Sequence, residues 1–187
     1  LGSKMGPNIY GCVGGDVMKG ERTIILLEMP WGRDKDPRIP LGHASLLATL
    51  KEHGGGEIIS IVSPINDNIT TAEYLQKKII TIANNRCEVD LAIGAYVWCD
   101  DVLTELIYLL RQSGFNGRII LGGPQITYTQ GGLEELYPEV DVFVRGYGEI
   151  ALVTLFNNPN TKNIQGVHFS GDEDLNYYWN ESSSNFR

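Results

Sequence analysis

Apolar residues along the chain fall into short unbroken runs, separated by stretches in which they recur every three or four positions. Thr23-Ile24-Ile25-Leu26-Leu27 is continuous and stops before Pro30, the pattern of a strand buried on both faces. From Leu41 to His53 the positions Leu46, Leu47 and Leu50 share one stripe, and Gly54-Gly55-Gly56 ends the helix they predict. Glu57–Val62 reads as a second strand, closed by Pro64. Thr70 or Thr71 is placed to cap a second helix through Leu75, Ile79 and Ile82. Val89–Trp98 predicts a third strand, Asp100–Arg111 a third helix and Arg118–Leu121 a fourth strand. A short helix near Leu133–Tyr137 leads to a fifth strand, Val140–Val144, and Glu149–Phe156 makes the last helix.

Such alternation is the signature of a parallel sheet covered by helices on both sides. The expected fold class is α/β: a doubly wound five-stranded parallel sheet of the Rossmann or flavodoxin type, strand order 2-1-3-4-5, with a C-terminal β-hairpin. Three regions follow. Residues 1–22 combine an expression scar (Leu1-Gly2-Ser3-Lys4-Met5) with a glycine-rich leader, residues 23–158 form the α/β domain, and residues 159–187 are linker-like. In that last region Ile164–Phe169 and Asn176–Trp179 are the expected hairpin arms around Gly171-Asp172-Glu173-Asp174, and Glu181–Asn185 is a polar tail.

An open sheet of this order binds ligands beyond the carboxyl ends of its strands, where the order reverses between strands 1 and 3. The loops there span residues 30–37, 96–101, 122–130 and 145–149. Their residues exclude familiar occupants. Pro30-Trp31-Gly32-Arg33-Asp34 is no G-x-G-x-x-G dinucleotide turn, and Gly-Lys-Ser or Gly-Lys-Thr is absent from the chain. The first loop lacks both the hydroxyl groups a flavin phosphate needs and the acidic pair of a phosphoacceptor receiver domain, whose lysine after strand 5 is here Arg145. Two loops carry unusual glycine chemistry. In Gly122-Gly123-Pro124 the glycines allow positive φ and close approach of a ligand, and proline fixes the exit. Arg145-Gly146-Tyr147-Gly148-Glu149 exposes backbone again and sets an acid at a helix start. Either motif is also compatible with a plain tight turn.

Composition narrows the partners. The 187 residues include 15 Lys plus Arg against 23 Asp plus Glu, a net charge of −8, with no basic run; nucleic acid and anionic membrane surfaces are not expected partners. Hydrophobic residues at 42% suit a globular domain that folds without disulfides or metal. Cys12, Cys87 and Cys99 are too irregular for a disulfide framework and suit a reducing compartment, and no apolar run is long enough to span a membrane, so the cytoplasm is expected.

Several segments taken together resemble the cobalamin-binding domain of cobalamin-dependent radical S-adenosylmethionine enzymes. They are Pro40-Leu41-Gly42 with Leu47-Ala48-Thr49-Leu50-Lys51-Glu52-His53-Gly54, Val89–Gly94, Ile119-Ile120-Leu121-Gly122-Gly123-Pro124, and Val140–Glu149. The resemblance covers residues 23–170, and the last two segments are its specific part. It implies a corrinoid carrying a methyl group or an electron, held by Trp31, Leu41 and Gly42, by Tyr96, Val97, Trp98 and Cys99, by Gly122, Gly123, Pro124 and Gln125, and by Arg145, Gly146, Tyr147, Gly148 and Glu149. It also implies a radical S-adenosylmethionine domain as partner, in the same or another chain.

The chain departs from that family at Tyr147, where glutamate is usual, at Cys99 for asparagine and at Gln125 for histidine. No C-x-x-x-C-x-x-C run is present, so no iron–sulfur cluster is expected in this chain, and by itself it is not expected to be a complete enzyme. The first loop, Glu28-Met29-Pro30-Trp31-Gly32-Arg33-Asp34, has no histidine to ligate cobalt, so cobalamin is expected base-off without a histidine ligand, its nucleotide tail beside Gly122–Gln125. Cys99 is the side chain able to intrude as a thiolate, or it is a plain buried cysteine. No catalytic residue and no protein metal ligand is assigned. His43 suits a surface or capping contact, Asp100 and Asp101 a helix start, and Trp31 and Trp98 either shield the sheet end or meet a ligand. Two alternatives remain: a non-catalytic interaction module whose corrin pocket has decayed, and a stand-alone cobalamin carrier. An open cleft between residues 96–101 and 122–130 would favour a cofactor, and a filled one decay.

Overall fold

In a computed structural model of the chain, residues 22–35 and 39–174 are described. Residues 1–21 of the expected scar and leader, residues 36–38 of the first loop, the second hairpin arm and the polar tail lie outside the described residues. β1 (Arg22–Glu28) pairs in parallel with β2 (Glu57–Val62) on one side and β3 (Glu88–Gly94) on the other. β3 pairs with β4 (Arg118–Gly122), and β4 with β5 (Val142–Val144), again in parallel. The order 2-1-3-4-5 is therefore as expected, and the reversal lies between β1 and β3.

Among the described residues the sheet has six strands, not five. β6 (Val167–Phe169), the core of the first expected hairpin arm, pairs antiparallel with β5, setting Val144 opposite Val167. Its middle residue explains the placement. His168 is buried, its ring stacked on Phe143 at 5.7 Å, and its Nε2 lies 2.9 Å from Glu134 Oε1.

Strand alternation sends side chains to two faces. Ile25, Leu27, Leu91, Ile93, Ile119, Leu121 and Phe143 pack under α2 (Ala72–Ala83) and α3 (Asp100–Gln112). Ile24, Leu26, Ala92, Ile120, Val142 and Val144 pack under α1 (Leu41–His53) and a C-terminal helix, Glu149–Asn157. Thr71, not Thr70, caps α2, its hydroxyl accepting from Tyr74 N at 3.2 Å; Thr70 pairs with Ser63 instead.

Several ends shift from those the pattern predicts, β1 starting at Arg22 and β5 at Val142 instead of Val140, and two differences bear on the ligand loops. The third strand stops at Gly94 and does not reach Trp98, because Cys99 N donates to Tyr96 O and closes a turn over an otherwise apolar stretch. Within residues 122–130 a short helix forms, α4 (Pro124–Tyr128), with proline in its first turn where the missing N–H costs nothing. α5 (Leu133–Leu136) follows, and the C-terminal helix is α6 (Glu149–Asn157).

Charge is concentrated at the opposite, amino-terminal edge. Asp90, buried at the start of β3, accepts from the guanidinium groups of both Arg22 and Arg118. Arg118 also donates to Leu155 O and Pro159 O, which fixes the chain leaving α6.

Candidate functional site

The carboxyl ends of β1, β3, β4 and β5 bring the four predicted loops to one edge. In the first, Trp31 is exposed, and the backbone of Gly32 is held by Asn66, whose amide both donates and accepts at 2.8 Å. α1 then begins with Leu41, 86% exposed, and Gly42, where an added Cβ would meet nothing within 4 Å. His43 does not lie on the surface, as the sequence suggested. It is buried because α1 packs it against β2, where Nε2 lies 2.8 Å from Ser60 Oγ, and burial lowers its pKa.

After β3, Tyr96 and Trp98 stack with centroids 4.6 Å apart and planes 13° from parallel. The Trp98 indole N–H donates to Met29 O at 3.0 Å, which docks this aromatic plate onto the end of β1. Val97 projects into solvent, 79% exposed. Cys99 points inward, 1% exposed, and burial pushes its thiol up to about 11. At neutral pH it is a neutral thiol, poorly suited to act as a metal ligand or nucleophile.

Gly123 has φ 101° and sits so close to the β3 loop that an added Cβ would lie 2.9 Å from Ala95 O. Gly123→Ala should therefore destabilise the fold by about 1–3 kcal/mol, measured as a shift in urea midpoint. Gly122 differs. Its Cβ would meet only Val144, at ordinary contact distance, so the space above it on the α1–α6 face is open.

Gln125 faces the other way. Its amide donates to Asp100 Oδ1 at 2.9 Å, and Tyr137 donates to the same oxygen at 2.7 Å. Gln125 N also donates to Ala95 O. Residues 96–101 and 122–130 are thus tied together on the α3 side, not separated there by an open cleft.

In the fifth-strand loop Arg145 is already engaged: it pairs with Asp174 at 2.7 Å and donates to Thr129 O. Gly146, at φ 75°, donates its N–H to Thr127 Oγ1, and Glu149 accepts from Ser45 at 2.7 Å, joining α6 to α1. Tyr147 and, from α4, Tyr128 are exposed. Gly148 packs near Leu46 and Val144, and Pro124 serves as the start of α4.

One group escaped the sequence reading. Glu28 ends β1 on the α1–α6 face and is only 4% exposed. Its carboxylate lies over Gly94 of β3, where an added Cβ would be 2.6 Å from Oε2, and it is hydrogen-bonded by Tyr96. Burial raises its pKa to about 7, against the smaller opposing effect of the Tyr96 donor. An acid ending a buried run directly at the reversal point was the available signal.

The edge is thus aromatic and apolar, with glycine backbone between its projections and no exposed histidine among the described loop residues. Among the described residues no cluster of three or more His, Cys, Asp or Glu could hold a metal, and no helix is long and apolar enough to cross a membrane. A roomy hollow of about 370 Å³ lies elsewhere, by Arg118, Pro159 and Phe169, away from this edge.

No protein-family model and no curated protein matches the chain. Its fold is similar to part of solved structures of the cobalamin-dependent S-adenosylmethionine radical enzyme OxsB. The form with aqua-cobalamin and S-adenosylmethionine bound matches with TM-score 0.57 and 18% identity over 79% of this chain. The form with aqua-cobalamin alone matches with TM-score 0.55 at 18% identity. The chain spans 20% of the length of those enzymes.

Proposed function

We propose that this domain binds a cobalamin across the carboxyl edge of its sheet. The observation that carries the reading is the convergence at that edge of Trp31, Val97, the Tyr96–Trp98 plate, Tyr128 and Tyr147, with open space above Gly122. A broad apolar face with few charges suits a flat macrocycle far better than a nucleotide phosphate. Likeness in fold to enzymes solved with aqua-cobalamin supports the same choice.

The residues fit such a ligand on its lower face. The Tyr96–Trp98 plate offers aromatic surface and no imidazole; His43 is turned into the α1–β2 packing, and Cys99 is a neutral thiol. Cobalamin is therefore proposed to bind base-off with no histidine ligand. Its nucleotide tail would enter beside Gly122 on the α1–α6 side, not beside Gln125, which is committed to Asp100. When bound, the corrinoid supplies the methyl- or electron-carrying chemistry, and the protein supplies orientation and exclusion of water. A radical S-adenosylmethionine domain, in this or another chain, is the proposed user of that carrier.

The test is direct. Protein mixed with hydroxocobalamin and desalted should retain corrinoid absorbance, and its Co(II) form should show no nitrogen superhyperfine splitting from a protein imidazole. Loss of all corrinoid under reducing and oxidising conditions alike would refute the proposal.

A second reading rests on the Gln125–Asp100–Tyr137 ties, which close the α3 side of the edge. Under it the domain is an interaction module that has lost the corrin, and the apolar rim docks a protein. Retention of cobalamin in the same experiment decides against it.

A further inference from the structure

We propose that Glu28 is a positioning residue for the ligand edge: through Tyr96 it fixes the Tyr96–Trp98 plate, and covering that plate with an apolar ligand takes up a proton at Glu28. The second half of this statement rests on the cobalamin reading; the first does not.

The geometry forms a chain of contacts. Glu28 stands at the reversal point between β1 and β3, and its carboxyl meets the Tyr96 ring over Gly94, where an added Cβ would lie 2.6 Å from Glu28 Oε2 and 3.0 Å from Tyr96 Cε2; the Tyr96 hydroxyl favours the carboxylate as a hydrogen-bond donor. Tyr96 carries Trp98 on its ring, and Trp98 returns to the end of β1 through Met29 O. The plate is thus anchored at one end by a backbone carbonyl that cannot titrate and at the other by a carboxyl that can. A carboxyl needs little help to stay neutral here, because burial dominates and none of the ion pairs among the described residues includes Glu28.

Its ionisable surroundings are few. From the β3–α3 turn come Tyr96, whose hydroxyl is pushed up by burial and by Glu28, and the neutral thiol of Cys99. Asp100 beyond them is taken up by Gln125 and Tyr137. The helices covering this face, α1 and α6, carry His43, held by Ser60, and Glu149, held by Ser45. The β2 side contributes Ser63 and Thr70, which bond to each other.

A carboxyl that titrates near neutrality and sits just beneath the edge is sensitive to what covers it. An apolar ligand removes remaining water, which disfavours the carboxylate further. Binding then draws a proton, and affinity falls as pH rises through the free-protein midpoint of about 7.

Two measurements on the full chain test this. The first uses no ligand: tryptophan fluorescence followed from about pH 5 to about pH 9. A single transition near neutrality is expected, absent in Glu28→Gln and in Trp98→Phe. Tyr96→Phe should move its midpoint upward, since the lost donor had favoured the carboxylate. A flat wild-type profile, or one unchanged by Glu28→Gln, would overturn the positioning role. The second measures methylcobalamin binding near pH 6 and near pH 8.5. Affinity should weaken on the order of tenfold at the higher pH in wild type, and hold constant in Glu28→Gln. Equal affinity at both pH values in wild type overturns the proton uptake. If the fluorescence titrates as expected but methylcobalamin binds at no pH, the cobalamin reading and the proton coupling built on it fail, while the positioning role of Glu28 stands.

Discussion

Asp90→Ala should cost about 3–5 kcal/mol of stability, read as a large fall in the urea midpoint. The carboxylate is 1% exposed and accepts four hydrogen bonds, from Arg22 Nε and Nη2 at 3.0 and 2.9 Å and from Arg118 Nε and Nη2 at 3.1 and 2.9 Å. Two guanidinium groups, each mostly covered, share this one acceptor between three neighbouring strands. Removing it leaves positive charge facing positive charge where water enters poorly. Arg22 keeps Glu88, and Arg118 keeps only backbone carbonyls. Asp90→Asn, which preserves shape and one acceptor, should lose less. Equal losses for the two substitutions would show that packing, not charge, holds this corner.

Phe143→Ala should destabilise by a similar amount, about 3–5 kcal/mol. The side chain is fully buried in the middle of a three-residue strand. Its ring lies against His168 at 5.7 Å and Tyr137 at 6.5 Å, so it joins β6 and the residue that ends α5 to the sheet as well as filling the core. The loss should be uneven. Amide exchange in β6, paired directly with β5, should accelerate more than in β1 or β3, which β4 separates from β5. A uniform acceleration across the sheet would contradict this assignment.

The fold was legible wherever local pattern and long-range packing agree. α1 and β2 occupy the residues their spacing predicts, since each has apolar periodicity inside and glycine or proline at its ends. Strand order followed from the five βα alternations and the common winding of such sheets. The end of β3 was not legible, because Ala95-Tyr96-Val97-Trp98 reads apolar whether it continues a strand or forms an exposed aromatic turn. What separates the two is the Cys99–Tyr96 turn bond, which has no signature in composition.

At the site, the loops were placed by topology, but the use of their side chains was not. Arg145 and Gln125 looked free for a ligand; Asp174 and Asp100, distant in sequence, claim them. The burial of Glu28 has no sign in local pattern, because an acid after an apolar run usually marks a strand leaving the core. Only the absent side chain at Gly94, on a different strand, makes room for it inside.

The ends of the sheet carry a consequence for how this domain meets other proteins. An outer strand with unpaired amides is a template on which a second chain can add itself, and long flat edges invite such pairing. β6 is three residues long and has its central side chain turned into the core, so it offers too little backbone to seed an extended ladder. β2 is longer, but it presents exposed Glu57 and Ser60 along its length. Among the described residues, strand addition is therefore discouraged at both ends of the sheet.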